Sequence, residues 1–130
     1  MTDRSSLQAF AMSALRFVAG AMFTFHGAQK LFGVLGFPKL GMWSQLWFGG
    51  VIELVCGILI AIGLFTRPAA LLASGTMAVA YFQFNWKFNF ENLQWLPIVN
   101  KGELAVLYCF VFLFFAVHGP GAHSLDQRRR

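Results

Sequence analysis

Four charged residues and a histidine stand where a chain this apolar has little reason to put them. Arg16, His26, Lys30, Glu53 and Glu103 lie within, or at the edge of, long hydrophobic runs. A charge at the centre of a bilayer costs at least ~2.5–3.5 kcal/mol, so such groups are candidates for function as well as for pairing. Two cations and two anions allow full internal neutralisation. His26, Lys30, Tyr81 and Asn85 can donate hydrogen bonds, and Glu53 and Glu103 can exchange protons.

A quinone head group, a flat ring with carbonyl oxygens, needs donors at those oxygens and a carboxylate nearby. His26, Lys30, Glu53 and Glu103 are therefore the candidate catalytic residues. His26, Lys30, Tyr81 and Asn85 are the candidate cofactor-binding residues. The competing reading makes the same groups an interhelical network that only fixes the bundle. Neither haem nor metal is expected. His26, His118 and His123 fall at different depths, and no HxxxH or CxxC spacing occurs. A GxSxG elbow is also missing. Cys56 and Cys109 sit in separate apolar runs and read as buried thiols rather than a redox couple.

These groups need helices to bring them together. Arg16, Gly20, Phe23, Gly27 and Lys30 recur at alternating spacings of four and three, which places them on one helix face with His26 beside them. Gly49, Glu53 and Gly57 form a second stripe, where glycines allow close approach to a neighbouring helix. Ser74, Met77, Ala78, Tyr81 and Asn85 define an inward face on a third helix. Depth counting at 1.5 Å per residue brings His26, Lys30, Glu53, Tyr81, Asn85, Asn100 and Glu103 into one half of a bundle. Arg16 is alone in the other half. Its expected partner is Asp126, in a structural ion pair made when Gly119-Pro120-Gly121 folds the tail back.

Composition says what surrounds these helices. Of 130 residues 58% are hydrophobic and 17% aromatic, while 12% are charged, about half the roughly 25% of soluble domains. A small chain cannot bury sixteen Phe and four Trp away from water. An all-α integral membrane protein follows, with the lipid bilayer as its first partner. Residues 1–130 form a single membrane domain with spans at 7–35, 46–65, 68–84 and 98–117 and a tail at 119–130. Asn100-x-x-Glu103 is the expected start of the last span, as an N-cap with an acidic residue at N3. Arg16 interrupts the first apolar run, which argues against a cleaved leader despite Ala19-Gly20-Ala21.

Four spans put both termini on one side. That side carries Arg4, Arg67, Arg128, Arg129 and Arg130, against Lys39, Lys87 and Lys101 opposite. The positive-inside rule places the termini in the cytoplasm. The net charge of +5 therefore does not mark a nucleic-acid binder, because no basic stripe interleaved with aromatics exists. The outer loops hold Phe37, Trp43 and Trp47, then Trp86, Phe88, Phe90 and Trp95, as a membrane-interface belt or a lid over a lipid-soluble ligand.

The same residues carry a resemblance. Arg16, Gly20 and His26-Gly27-x-x-Lys30-Leu31-Phe32-Gly33 are followed by Glu53-x-x-x-Gly57 and Gly63-Leu64-Phe65-Thr66-Arg67-Pro68. Asn100-Lys101-Gly102-Glu103-Leu104-Ala105, Gly119-Pro120-Gly121 and Ser124-Leu125-Asp126 complete the order. Together they resemble the DoxX family of small four-helix membrane proteins. One departure is Phe84-Asn85-Trp86-Lys87, where the resemblance leads one to expect a histidine. The family takes its name from subunits of a thiosulfate:quinone oxidoreductase. The resemblance thus implies a quinone-linked redox subunit in the bacterial cytoplasmic membrane, working with other membrane redox subunits or as an oligomer. A non-catalytic scaffold or assembly factor is the alternative.

Overall fold

The computed structural model describes residues 4–34, 36 and 40–128. Leu35 of the expected first span, Phe37 and Lys39 of the first outer loop, and Arg129 and Arg130 of the tail lie outside them. The described residues are helical, with no strand among them. Helix α1 spans Arg4–Phe32 and α2 spans Gln45–Ile62. Helix α3 spans Thr66–Ala80 and runs on into a π-helical turn at Tyr81–Trp86. A short α4 at Pro97–Asn100 precedes α5 at Glu103–His118, and α6 at Leu125–Arg128 closes the chain. Both α1 and α2 are long and apolar enough to cross a membrane, and α5 is a shorter apolar helix.

The helices form two tight pairs, α1 with α2 and α3 with α5. Glycine makes the first pair close. A Cβ on Gly20 would lie 2.5 Å from the Ala61 nitrogen, so the two backbones touch. Gly27 meets Gly50 and Leu54, and Gly57 meets Gly20 and Thr24. The expected stripe is thereby corrected: Gly50, not Gly49, faces α1 beside Lys30, because the helix turns 100° per residue. In the second pair Ser74 Oγ donates to the Cys109 carbonyl at 2.7 Å. Cys56 and Cys109 are both free thiols.

Aromatic rings join the pairs. Phe23 of α1 packs on Phe112 of α5 at 4.8 Å between centroids and on Tyr108 at 5.5 Å. Phe23, Phe112 and Phe115 are fully buried. In lipid the gain is close packing rather than escape from water, which is why rings and glycines share these seams. Leu7, Phe10, Phe17, Phe25, Leu107 and Phe110 point outward.

Three boundaries differ from the expected ones. Helix α2 stops at Ile62 because Gly63 turns left-handed, at φ 74°, and its N–H and that of Leu64 close onto Ile60 and Leu59. Helix α3 then begins at Thr66, with Pro68 in its first turn where a missing N–H does no harm. The expected cap at Asn100 is wrong. Lys101 is left-handed at φ 62°, which ends α4, and Gly102 precedes α5. Asn100 instead takes the Gly102 N–H on its own Oδ1 at 2.8 Å.

The tail does fold back. Helix α5 ends at His118 and Gly119 takes φ 97°. The Asp126 N–H donates to the Gly63 carbonyl at 2.8 Å. Its carboxylate accepts from the N–H groups of Phe65 at 2.8 Å and Thr66 at 2.9 Å, capping α3 from across the chain. Arg67 in turn donates to the last carbonyls of α5, on Val117 and His118. The end of the bundle holding this tail is called the tail end below, and the opposite end the far end.

Candidate functional site

Near the far end, Lys30 in the last turn of α1 reaches Glu53 of α2. Its ammonium donates to both carboxylate oxygens, at 2.6 and 2.8 Å. The Glu53 side chain is 3% exposed and that of Lys30 20%. Gly27 and Gly50 allow this pair, because the helices must nearly touch for a lysine to meet a carboxylate in their seam. A cavity of about 200 Å³ opens beside it, lined by His26, Lys30, Glu53, Asn85, Lys101 and Tyr108 among others. His26 is half-buried.

Tyr108 is the residue that the sequence reading missed. It is 5% exposed, stacked on Phe112 at 5.3 Å, and meets the His26 ring edge-on at 6.1 Å. Its hydroxyl has no hydrogen-bond partner among the described residues. A buried polar group left unpaired costs about 1–3 kcal/mol, and Tyr108 lines the chamber, so its hydroxyl is hydrogen-bonding capacity left over beside that space. Ser13 and Thr66 also carry buried unpartnered hydroxyls, but neither lines this chamber. Helix α5 is apolar on every side, so periodicity could not mark its inward face. The available signal was that Tyr108, Phe112 and Phe115 lie on one face and Tyr108 alone has a polar tip.

The π-helical turn sets the remaining wall. The wider turn at Tyr81–Trp86 re-aims the side chains that follow α3. Asn85 faces the chamber and also donates to the Asn100 carbonyl at 3.4 Å, whereas Gln83 and Phe84 face a second cavity. Tyr81 points elsewhere, which corrects its expected binding role. Its hydroxyl donates to the Trp95 carbonyl at 2.6 Å and accepts from Asn100 Nδ2 at 3.0 Å, which ties the far-end loop together. Glu103 is corrected too. It is exposed on the outside of α5 near Pro97 and Leu107, away from Glu53. So the structure joins His26, Lys30, Glu53 and Asn85, adds Tyr108 and Lys101, and releases Tyr81 and Glu103.

The second cavity, about 710 Å³, is a groove between α2 and α3. It shares Lys30, Glu53, Met77 and Ala80 with the chamber. The ion pair therefore stands in the wall between the two. The loop aromatics pack among themselves at this end: Trp43 on Trp47 at 5.1 Å, and Phe82 stacked on Phe88 at 5.5 Å.

Arg16 forms the other buried charge. It is 3% exposed, and its guanidinium donates to the carbonyls of Ile60 at 3.0 Å, Pro120 and His123 at 2.9 Å. The expected ion pair with Asp126 takes a different form. Three carbonyls receive the guanidinium, backbone amides hold the carboxylate, and Asp126 attracts Arg16 through space. The folded tail brings both about.

Among the described residues no group of His, Cys, Asp and Glu could hold a metal ion. No solved structure matches the chain. An uncharacterised protein of Haemophilus influenzae is 38% identical over 98% of this chain and 97% of its own length. An uncharacterised membrane protein of Mycobacterium tuberculosis is 30% identical over 88% of this chain and 78% of its own. The DoxX family model matches residues 11–86, which contain Arg16, His26, Lys30 and Glu53. With more than half its length under that match and a relative aligned nearly end to end, this membrane protein belongs to the DoxX family.

Proposed function

We propose that the chain crosses the bacterial cytoplasmic membrane four times, with both termini in the cytoplasm, and holds a quinone head group in the far-end chamber. The far end is then the outer half. Arg4, Arg67 and Arg128 at the tail end, against Lys87 and Lys101 at the far end, support this orientation. The observation that carries the binding reading is Tyr108, whose buried hydroxyl has no partner among the described residues, lining a chamber that His26 and the Lys30–Glu53 pair also line.

The donor set fits such a ring. The Tyr108 hydroxyl and the His26 ring supply hydrogen bonds to carbonyl oxygens, and Lys30 and Lys101 favour negative charge on them. Phe23 and Leu104 give the ring apolar walls. Glu53 is the proton-exchanging carboxylate, and Lys30 orients it. A quinone bound there would supply redox chemistry coupled to proton exchange. A partner subunit would supply the electrons.

The competing reading is a scaffold whose buried charges are structural, and the fully formed Lys30–Glu53 pair favours it. Quinone content separates the two. Purify the protein in mild detergent, extract the lipids, and quantify quinone per chain for wild type, His26→Ala and Tyr108→Phe. Near-stoichiometric quinone that falls in both variants supports the binding reading. Wild-type quinone no higher than in bulk lipid rejects it in favour of the scaffold.

A further inference from the structure

The chamber is too small for the whole of a membrane quinone. Pockets that enclose drug-sized ligands run to about 300–1,000 Å³. The chamber, at about 200 Å³, takes a ring but not a long chain. The α2–α3 groove, at about 710 Å³, lies on the other side of the Lys30–Glu53 pair. Resting on the reading of the chamber above, we propose that this groove holds the apolar chain of the same quinone, so that the ligand enters sideways from the bilayer.

Three observations point to that occupant. First, the two cavities adjoin: Lys30, Glu53, Met77 and Ala80 line both, and turning the Lys30 side chain, 20% exposed, outward is what would open one into the other, with ring and chain on either side of Glu53. Second, the polar lining gathers toward the far end of the groove, apart from Thr76, whose hydroxyl donates to the Leu72 carbonyl of its own helix. Lys30 and Glu53 stand there, and Gln45 donates to Gln83 across its mouth. Leu71 and Leu72 toward the tail end, with Ile52 and Val79 beside the pair, make an apolar trough. From Pro68 to Phe84 it runs about 24 Å at the helical rise, room for an extended chain.

Third, the trough is shaped by missing side chains. Apart from the backbone of its own helix and its chain neighbours, nothing lies within 4 Å of where a Cβ would stand on Gly49 of α2 or Gly75 of α3. Both glycines line the groove, from opposite walls. A glycine inside a helix costs about 1 kcal/mol relative to alanine, and close packing is its usual reason. Gly20, Gly27, Gly50 and Gly57 have that reason, whereas Gly49 and Gly75 have no neighbour to admit. What they leave is open space.

The test uses two probes, a benzoquinone bearing a decyl chain and the same ring without it. Each is bound to the purified full-length chain in detergent, against protein-free micelles as the partition control. Wild type should bind the chained ring at least tenfold more tightly. Gly75→Phe should remove that difference while leaving the unchained ring unaffected, and Gly49→Phe should do the same from the opposite wall if Gly75→Phe does not fold. Tyr108→Phe should weaken both probes. Equal affinity for both probes in wild type, or a chain preference that survives both glycine substitutions, overturns the groove. If neither probe binds wild type, the reading of the chamber fails and the groove falls with it. Chain preference that vanishes in Gly75→Phe but ignores Tyr108→Phe keeps the groove and removes the chamber.

Discussion

Arg16 at the tail end and Lys30–Glu53 at the far end are both buried charges on the α1–α2 pair, yet they are built differently. Arg16 reaches three backbone carbonyls, two of them delivered by the folded tail. The polar groups it meets belong to chain ends and turns that need a donor. Lys30–Glu53 is also satisfied, but it stands between two cavities and within reach of a half-buried histidine and an unpartnered hydroxyl. Burial of a charge therefore does not by itself indicate a site. Space beside it, together with hydrogen-bonding capacity left over, does.

Substitutions can break or sharpen that contrast. The largest effect is expected for Arg16→Leu. It takes their charged donor from the Pro120 and His123 carbonyls, leaves Ile60 only the Gly63 N–H, and removes hydrogen bonds worth about 1.5–3 kcal/mol each, so a loss on the order of 4 kcal/mol is expected. Folded protein should become scarce and the tail should become protease-sensitive. If Arg16→Leu accumulates and melts like wild type, the tail-end centre is not structural and the contrast collapses.

Glu53→Gln should come next. Breaking a fully buried pair costs about 3–5 kcal/mol, but Lys30 is 20% exposed and can turn its ammonium outward, which lowers the cost to about 1–2 kcal/mol. The protein should accumulate and lose quinone binding. Folded protein disappearing as it does in Arg16→Leu would make the two centres alike.

Asp126→Asn should cost about 1 kcal/mol. It removes the negative charge from the start of α3 but keeps an oxygen that can accept from Phe65 or Thr66. A small drop in thermal midpoint without loss of quinone would show that the tail end acts on stability alone.

The smallest effect on stability, and the sharpest separation, belongs to Tyr108→Phe. The hydroxyl has no partner to lose among the described residues, so stability should stay level or rise by up to about 1 kcal/mol. Quinone content should fall. A clear destabilisation would mean that the hydroxyl is bonded within the fold, which would leave the chamber without its main claim to a ligand.

Much of the fold could be read in the residues. Alternating spacings of four and three placed Arg16, Gly20, Phe23 and Gly27 on the buried face of α1, where they are. Gly119-Pro120-Gly121 marked both the end of α5 and the return of the tail. Depth counting brought His26, Lys30 and Glu53 together, because rise per residue is a property of the backbone and not of the neighbours. Boundaries at turns were harder. Gly63 marked the stop of α2, but left-handed Lys101 and Phe65 are not glycines, so the local sequence carried no mark of where α4 had to stop or α3 to begin.

What spacing alone determined, then, was which helix faces carry the chemistry and at what depth. Tertiary structure decided which of those residues share a space. Gly50 rather than Gly49 meets α1, so Gly49 opens a groove instead of closing a seam. The π-helical turn sends Tyr81 to the loop and Asn85 to the chamber. Tyr108 entered because α5, apolar all round, is oriented by Phe23 and Phe112 packing across the bundle rather than by any pattern of its own. Periodicity records how one helix repeats along its axis. The angle at which that helix meets its neighbours depends on volumes and hydrogen bonds contributed by other segments, and these exist only once the chain has folded.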